Sequence, residues 1–359
     1  MQAAGPPVRR SRFRGHATRL PAVAQRPRCV PGEFLRGRTT GRLPLTSLRF
    51  ARFLAITASS AVSLAVLASC GAGSAPPARR ALSDTGGPPV TRPIVDDFGD
   101  TLRTSSAPPR RIVSLNPATT EMLFAMGEGN RVIGRTRWDT YPPAALAVAD
   151  LGDGLRPNVE AVLSVHPDLV VLYAATDNRD AVGRLKAAGI ATLSVRDDRL
   201  ADFRRILSLL GAALHDSAAA QVVADSVTAS LTKVRAATAG LAPVSVVWPI
   251  EIAPLRVIGG GSYLNDLLTD AGGQNVYGTM PDPSPQVSLE DVLRRDPAVV
   301  LTTGAIVRAM RSDSRWQRWL AGSGHRVLVP DTALVGMPSV RMGAAAAELV
   351  GLLHPGVVH

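Results

Sequence analysis

Thiols are almost absent from this chain of 359 residues: its two cysteines are Cys29 and Cys70. Cys29 lies in an arginine-rich stretch and Cys70 closes an apolar one. A domain folded from the residues after them has no thiol for a disulfide, a metal site or nucleophilic catalysis. The six histidines, His16, His166, His215, His325, His354 and His359, show no ligand-like spacing. There is no Gly-x-Ser-x-Gly elbow, no Walker A loop and no His-Glu-x-x-His, so neither catalytic residues nor a resident metal are indicated. Aromatic residues make up only 4% of the chain, so any concentration of them at one place carries weight.

Excess positive charge is also absent once the front of the chain is set aside. The formal net charge is +11, but residues up to Arg52 contain 12 arginines and one acid, Glu33. Removing those from 40 basic and 29 acidic residues leaves 28 of each, so nucleic-acid binding is not implied. Residues 1–47 show no hydrophobic period and read as a disordered leader, either an upstream extension of the gene's start site or an unusually long n-region. Residues 48–70 read as a signal peptide. Arg49 and Arg52 supply charge, and Phe53 to Val66 form an apolar run of 14 residues, short of the ~20 a spanning helix needs. The run closes on Leu67-Ala68-Ser69-Cys70, which is similar to a bacterial lipobox and predicts lipid on Cys70. The product would be an exported lipoprotein, periplasmic or at the cell surface. Gly71 carries no acidic retention signal, so with two membranes the outer one is the default. Residues 71–107, rich in Gly, Ala, Pro, Ser and Thr, predict a flexible tether.

What the chain does have is a cassette that occurs twice. Asn158-Val159-Glu160-Ala161-Val162-Leu163 runs on to His166-Pro167-Asp168-Leu169, and Ser288-Leu289-Glu290-Asp291-Val292-Leu293 to Asp296-Pro297-Ala298-Val299. The glutamates stand 130 positions apart, each seven residues before its proline. Asn158 and Ser288 suit N-caps, and a carboxylate in the first turn suits the helix dipole. The prolines are expected to stop the helices, and the apolar runs after them to form buried strands. Two lobes built alike, each showing one carboxylate, would match a partner with two basic sockets.

Around the cassettes, strands and helices alternate, which predicts two α/β lobes, 108–213 and 242–359, each with a mainly parallel sheet. Between them, Ser217 to Leu241 has no glycine or proline before Gly240. It predicts a bridging helix within 214–241, a rod of ~36 Å at 1.5 Å per residue. Such a rod cannot bend as a loop hinge does, so the lobes should approach only slightly on binding.

Several stretches together resemble one family. They are Arg111-Ile-Val-Ser-Leu-Asn-Pro-Ala-Thr-Thr-Glu-Met-Leu-Phe-Ala-Met-Gly127, Tyr141-Pro-Pro143, Asn158 to Val170, Gly272-Gly-Gln-Asn-Val276 and Pro285-Gln-Val-Ser-Leu-Glu290. In order and spacing, across about 108–353, they are similar to the vitamin B12 and iron-siderophore substrate-binding proteins of bacterial ABC importers. The resemblance implies two Rossmann-like α/β lobes bridged by one rigid helix, a ligand held in the cleft between them, and Glu160 and Glu290 docking on arginines of a permease dimer served by an ATPase. Within that family Tyr-Pro-Pro and Pro-Gln-Val-Ser-Leu-Glu lean toward cobalamin, which makes a corrinoid the expected ligand, with haem or a ferric siderophore as alternatives. The chain departs where relatives often carry tryptophan, at Gly154 and Ser284.

Ligands of open α/β sheets sit beyond the carboxyl ends of strands. That rule picks out Asn116, Trp138, Tyr141, Tyr173, Trp248, Glu251, residues 259–262 and Gly304. Flat aromatic walls suit a corrin, a haem or a catecholate, though each aromatic can equally pack a loop against its own lobe. Trp248 and Tyr141 are the preferred pair. Backbone N–H groups from Gly260 to Ser262, opening a helix, can meet an amide, phosphate or carboxylate, although a plain turn explains three glycines as well. An extracytoplasmic α/β enzyme, or a chelate scavenger or sensor acting without an importer, are the other classes open to this sequence.

Overall fold

The computed structural model describes residues 93–102, 106–322 and 324–357, all within one compact unit. The leader, the apolar stretch and Cys70 lie outside the described residues, as do residues 71–92 of the expected tether.

The first lobe is built from β1 (Ile112–Leu115), α1 (Pro117–Ala125), β2 (Val132–Arg135), β3 (Ala149–Asp150), α2 (Val159–Ser164), β4 (Leu169–Tyr173), α3 (Arg179–Ala187), β5 (Ala191–Val195) and α4 (Asp202–Leu214). A long helix, α5 (Ser217–Thr238), follows. The second lobe holds β6 (Val244–Val247), β7 (Pro249–Ile252), β8 (Leu255–Val257), α6 (Tyr263–Asp270), β9 (Gly273–Asn275), α7 (Leu289–Arg295) and β10 (Val299–Leu301). It continues through α8 (Gly304–Ser312), α9 (Ser314–Leu320), β11 (Arg326–Leu328), α10 (Thr332–Val335) and α11 (Met342–Leu353).

Both large sheets are parallel, and their central strands are apolar on both faces because helices cover both. β1, Ile-Val-Ser-Leu, is wholly buried, and so is β10, Val-Val-Leu. The first sheet runs β3-β2-β1-β4-β5 and the second β11-β10-β6-β9. Set β3 aside and the two orders are equivalent, with β6, β9, β10 and β11 in the places of β1, β2, β4 and β5. The repeated cassette therefore occupies matched positions: α2 feeds β4 and α7 feeds β10, each lying between the first strand and the last of its lobe.

The match extends to backbone detail. Asn158 caps α2 and Ser288 caps α7, each side chain accepting from the N–H three residues on. Both helices end before the proline, and the turn is made by the residue preceding it. His166 and Asp296 have φ of 49° and 48°, a left-handed conformation that His and Asp tolerate better than most residues. The prolines were expected to be the stop; the left-handed residue before each is what reverses the chain.

Helix α5 has 22 residues, hence a length of ~33 Å. Asp216 caps it, and Ala220, Val223, Ala224, Val227, Leu231 and Val234 form its buried stripe. It packs on α4 of the first lobe and α11 of the second. One apolar cluster runs from Ile112 and Leu169 through α4 and α5 to Val246, Val299 and α11. The lobes thus share a core instead of meeting across a loop.

Residues 93–102 fall inside the span expected to be a tether, yet they are fastened to the first lobe. Ile94 and Leu102 pack on the core, and Asp96 accepts the Ser194 N–H at 3.1 Å. Asp97 takes the Arg205 guanidinium at 2.7 Å. Two apolar anchors and two partnered carboxylates are enough to order this piece, and the Gly/Pro/Ser-rich composition around them concealed it.

Candidate functional site

Beyond the carboxyl ends of β1, β2, β4 and β5 the first lobe holds a hollow of about 290 Å³. β1 stands where the strand order reverses, with β2 on one side and β4 on the other, the place where open α/β sheets take ligands. Asn116, Trp138 and Tyr173, all expected on strand-end grounds, come together here with Asp153, Leu155 and Asp197. Asn116 is held at both ends of its amide: Oδ1 accepts the Ala118 N–H at 2.9 Å, and Nδ2 donates to Asp197 at 3.3 Å. The Tyr173 hydroxyl donates to Asp198 at 2.5 Å. Burial, reinforced by Asp198, raises the Tyr173 phenol well above its ordinary pKa, so it remains a donor. Trp138 is 59% exposed. Leu155 and Tyr141 also present apolar surface on this lobe, and on the second Ile250 of β7 and Val329, just after β11, do so. A larger hollow of about 510 Å³ lies at the amino-terminal edge of the first sheet, beside Asp168 and Ala191, so volume alone does not mark the site.

Other expected residues are placed differently. Trp248 is 4% exposed and packs in the shared core, so it offers no open wall. It follows β6 directly, and the β7–β8 hairpin continues from it. Gly260 and Ser262 do not present free N–H groups: Gly260 donates to Met280 at 2.7 Å and Ser262 to Gly259 at 3.4 Å. A Cβ on Gly259, Gly260 or Gly261 would meet the carbonyl oxygens of Asp282, Gly278 or Pro281 at 2.1 Å. The triplet is therefore glycine because the 278–283 loop lies directly on it, and the Ser262 hydroxyl is spent capping α6. Gly154 has a similar cause, since its Cβ would stand 2.1 Å from the Leu115 carbonyl oxygen. No larger residue fits this backbone.

Tyr141 sits at the junction of the lobes. Arg341, from the loop before α11, lies 4.4 Å above its ring and is ion-paired with Glu121 of α1, Nε to Oε2 at 3.0 Å. Ser339 also donates to Glu121, which is only 2% exposed. Across from it, Arg199 and the Leu200 N–H both reach Asp266 of α6, at 2.9 and 3.1 Å. The strand-end rule missed Glu121 and Arg341, which stand 220 positions apart. It should have found Asp197, which follows β5 by two residues.

Asp197 is the electrostatic centre of the hollow. Burial pushes its carboxyl up to about 6, the Asn116 amide and its own backbone work against this, and Asp198 and Asp202 add to it. Since the raised value means the folded state binds a proton that the unfolded state has already lost, stability should fall as pH climbs from about 4 to 6, and the cost should be fully present above 6. Asp197→Asn is expected to stabilise the protein at pH 7–8 by on the order of 1–3 kcal/mol, with the difference vanishing below pH 4. Denaturant midpoints of both proteins across that range check it; equal midpoints at pH 8 would remove Asp197 as a strained group.

Glu160 and Glu290 are placed alike. Their side chains are 73% and 70% exposed, in the first turns of α2 and α7. Each is paired with an arginine of a later helix: Arg184 of α3 holds Glu160, and Arg315 of α9 holds Glu290 at 3.1 Å. A hydrogen bond from its own backbone N–H is the largest cause keeping each carboxyl below the ordinary range, with the paired arginine adding to it. Among the described residues no group of three or more His, Cys, Asp or Glu can hold a metal, and no helix is long and apolar enough to cross a membrane.

The profile of the periplasmic binding protein family matches residues 112–329. The uncharacterized ABC transporter substrate-binding lipoprotein YvrC of Bacillus subtilis is 30% identical over 278 residues, 74% of this chain and 86% of that protein. The vitamin B12-binding protein of Vibrio parahaemolyticus is 26% identical over 222 residues, covering 62% and 80%. Among solved structures, the vitamin B12 binding protein BtuF of Vibrio cholerae superposes with a TM-score of 0.59 at 23% identity, covering 68% of this chain and 97% of that one. The heme-binding protein RhuT of Roseiflexus does so at 0.60 and 23%, covering 69% and 99%.

Proposed function

The chain belongs to the periplasmic binding protein family, as a substrate-binding protein of an ABC transporter, and from that premise we propose that it captures a corrinoid and delivers it to an importer permease. The observation that carries this reading is the hollow at the β1–β4 switch point, where Trp138 stands open beside a lining of fixed polar groups. A volume of about 290 Å³ takes one edge of so large a ligand, and the exposed Tyr141, Leu155, Ile250 and Val329 offer apolar surface to the rest. Glu160 and Glu290, one per lobe, are the docking carboxylates for arginines of the permease. Relatives named as vitamin B12-binding proteins support the ligand class.

Titration of the purified domain with cyanocobalamin, haem and a ferric siderophore tests it. Cyanocobalamin is expected to bind with a visible difference spectrum. Trp138→Ala is expected to weaken it by about 1–2 kcal/mol through loss of one aromatic face. A response to a siderophore alone, with none to a corrinoid, would overturn the ligand class.

Haem is the second reading, favoured by Tyr141. Its hydroxyl has no hydrogen-bond partner among the described residues, its ring is 39% exposed beneath Arg341, and a phenolate is a known ligand of haem iron. Tyr141→Phe would then abolish the haem spectrum and leave corrinoid binding nearly unaltered.

We further propose that Cys70, outside the described residues, carries lipid that anchors the protein to a membrane. Cys70→Ser is expected to appear in the soluble fraction. Its retention on membranes at high salt would contradict the anchor.

A further inference from the structure

The hollow is lined by two carboxylates, Asp153 and Asp197, and by no Lys, Arg or His. Leu115, Pro117, Trp138 and Leu155 make much of the remaining wall apolar. Neither carboxylate has an ion-pair partner among the described residues. Beyond the hydrogen bond from its own backbone, Asp197 takes only the long 3.3 Å bond from Asn116 on Oδ2. Asp153 spends Oδ1 on the Leu155 N–H at 2.9 Å, closing a turn of its own loop.

The charges around Asp197 do not offset it, whereas Arg137, whose Nη2 stands 3.5 Å from where a Gly152 Cβ would be, and Arg156 are near Asp153 in the chain. Asp198 and Asp202 add to the negative field at Asp197, and from the second lobe Tyr263 faces it as a neutral phenol. Two of the arginines that follow Asp197 are engaged elsewhere. Arg199 is bound to Asp266, and Arg205 to Asp97 and Asp202. Arg196 bears on Tyr173 but does not line the hollow.

From this we infer that the hollow selects a ligand edge bearing uncharged N–H donors, a carboxamide above all, and rejects one bearing a carboxylate, with Asp197 and Asp153 as the discriminating groups. This rests on the reading of the hollow as the ligand-facing site. An amide N–H can donate to the Asp197 carboxylate, whose side-chain bond from Asn116 is long. A ligand carboxylate in the same place meets two like charges beside a largely apolar wall, a repulsive element of the kind that sets specificity alongside added attraction.

The test uses matched pairs of probes. One set is cyanocobalamin and its monocarboxylates, made by hydrolysing the propionamide side chains one at a time; the other is haem and haem dimethyl ester. The wild type should bind cyanocobalamin at least about tenfold more tightly than the weakest monocarboxylate. Asp197→Asn or Asp153→Asn should bring that ratio to within about threefold, since an asparagine amide neither repels a carboxylate nor loses the acceptor oxygen. Two variants are used so that a fault in one loop does not decide the result. Equal binding of all the carboxylates by the wild type, or ratios unmoved in both variants, would overturn the inference. If haem dimethyl ester binds more tightly than haem while no corrinoid binds, the selectivity stands and the corrinoid assignment falls. Tighter binding of haem than of its ester would overturn the selectivity itself, and silence from every probe would overturn both.

Discussion

Replacing Glu160 and Glu290 together by alanine is expected to lower importer-coupled uptake on the order of a hundredfold, with each single change costing on the order of tenfold. Ligand affinity of the isolated protein should stay within about twofold of wild type, because both carboxylates lie in the first turns of α2 and α7 and neither lines the hollow. Their exposure leaves them available to a partner, and Arg184 and Arg315 hold them in place meanwhile. If the glutamates dock as proposed, binding would exchange those internal arginines for the permease's own, and uptake should weaken as salt is raised. Uptake by reconstituted importer, beside equilibrium titration of the free protein, separates the two effects. Loss of ligand affinity in a single variant would move that glutamate from docking to capture.

The second large effect is expected at the lobe junction. Glu121 is buried, and its partners Arg341 and Ser339 come from the other lobe. Arg341→Ala leaves that carboxylate uncompensated, which should cost about 3–5 kcal/mol of stability. It also removes the cation over Tyr141. The paired change Glu121→Gln with Arg341→Met should cost markedly less, because no lone charge is left behind. Urea melts of the two variants make the comparison. A double variant as unstable as Arg341→Ala would assign the loss to packing and not to the unpaired charge.

Much of the architecture was readable because local chemistry and global position agree in it. Asn116-Pro117 caps and starts α1, and Asn158 and Ser288 start the twin helices. The uninterrupted stretch after Asp216 forms one helix joining the lobes. Part of the hollow was readable too, since the strand-end rule places Asn116, Trp138 and Tyr173 together. The same rule misplaced Trp248, because it says where a strand ends and not whether the next side chain turns inward. The surroundings of Gly260 and Ser262 were not legible, because the carbonyl that fills the Gly260 N–H and the backbone that crowds the glycines arrive from 278–283, a loop with no visible tie to them in sequence, while the Ser262 N–H turns back on Gly259. The Glu121–Arg341 pair is a contact between distant segments that no local pattern announces.

The apolar cluster shared by both lobes also has a consequence for traffic. If α5 and its neighbours keep the lobes at one spacing, Glu160 and Glu290 stand equally far apart whether the protein is empty or full. A permease that grips those two points cannot tell cargo from its absence by reach. Empty carriers would then queue at the same gate as loaded ones, and making more of the protein than there is ligand to fill it would slow delivery instead of hastening it.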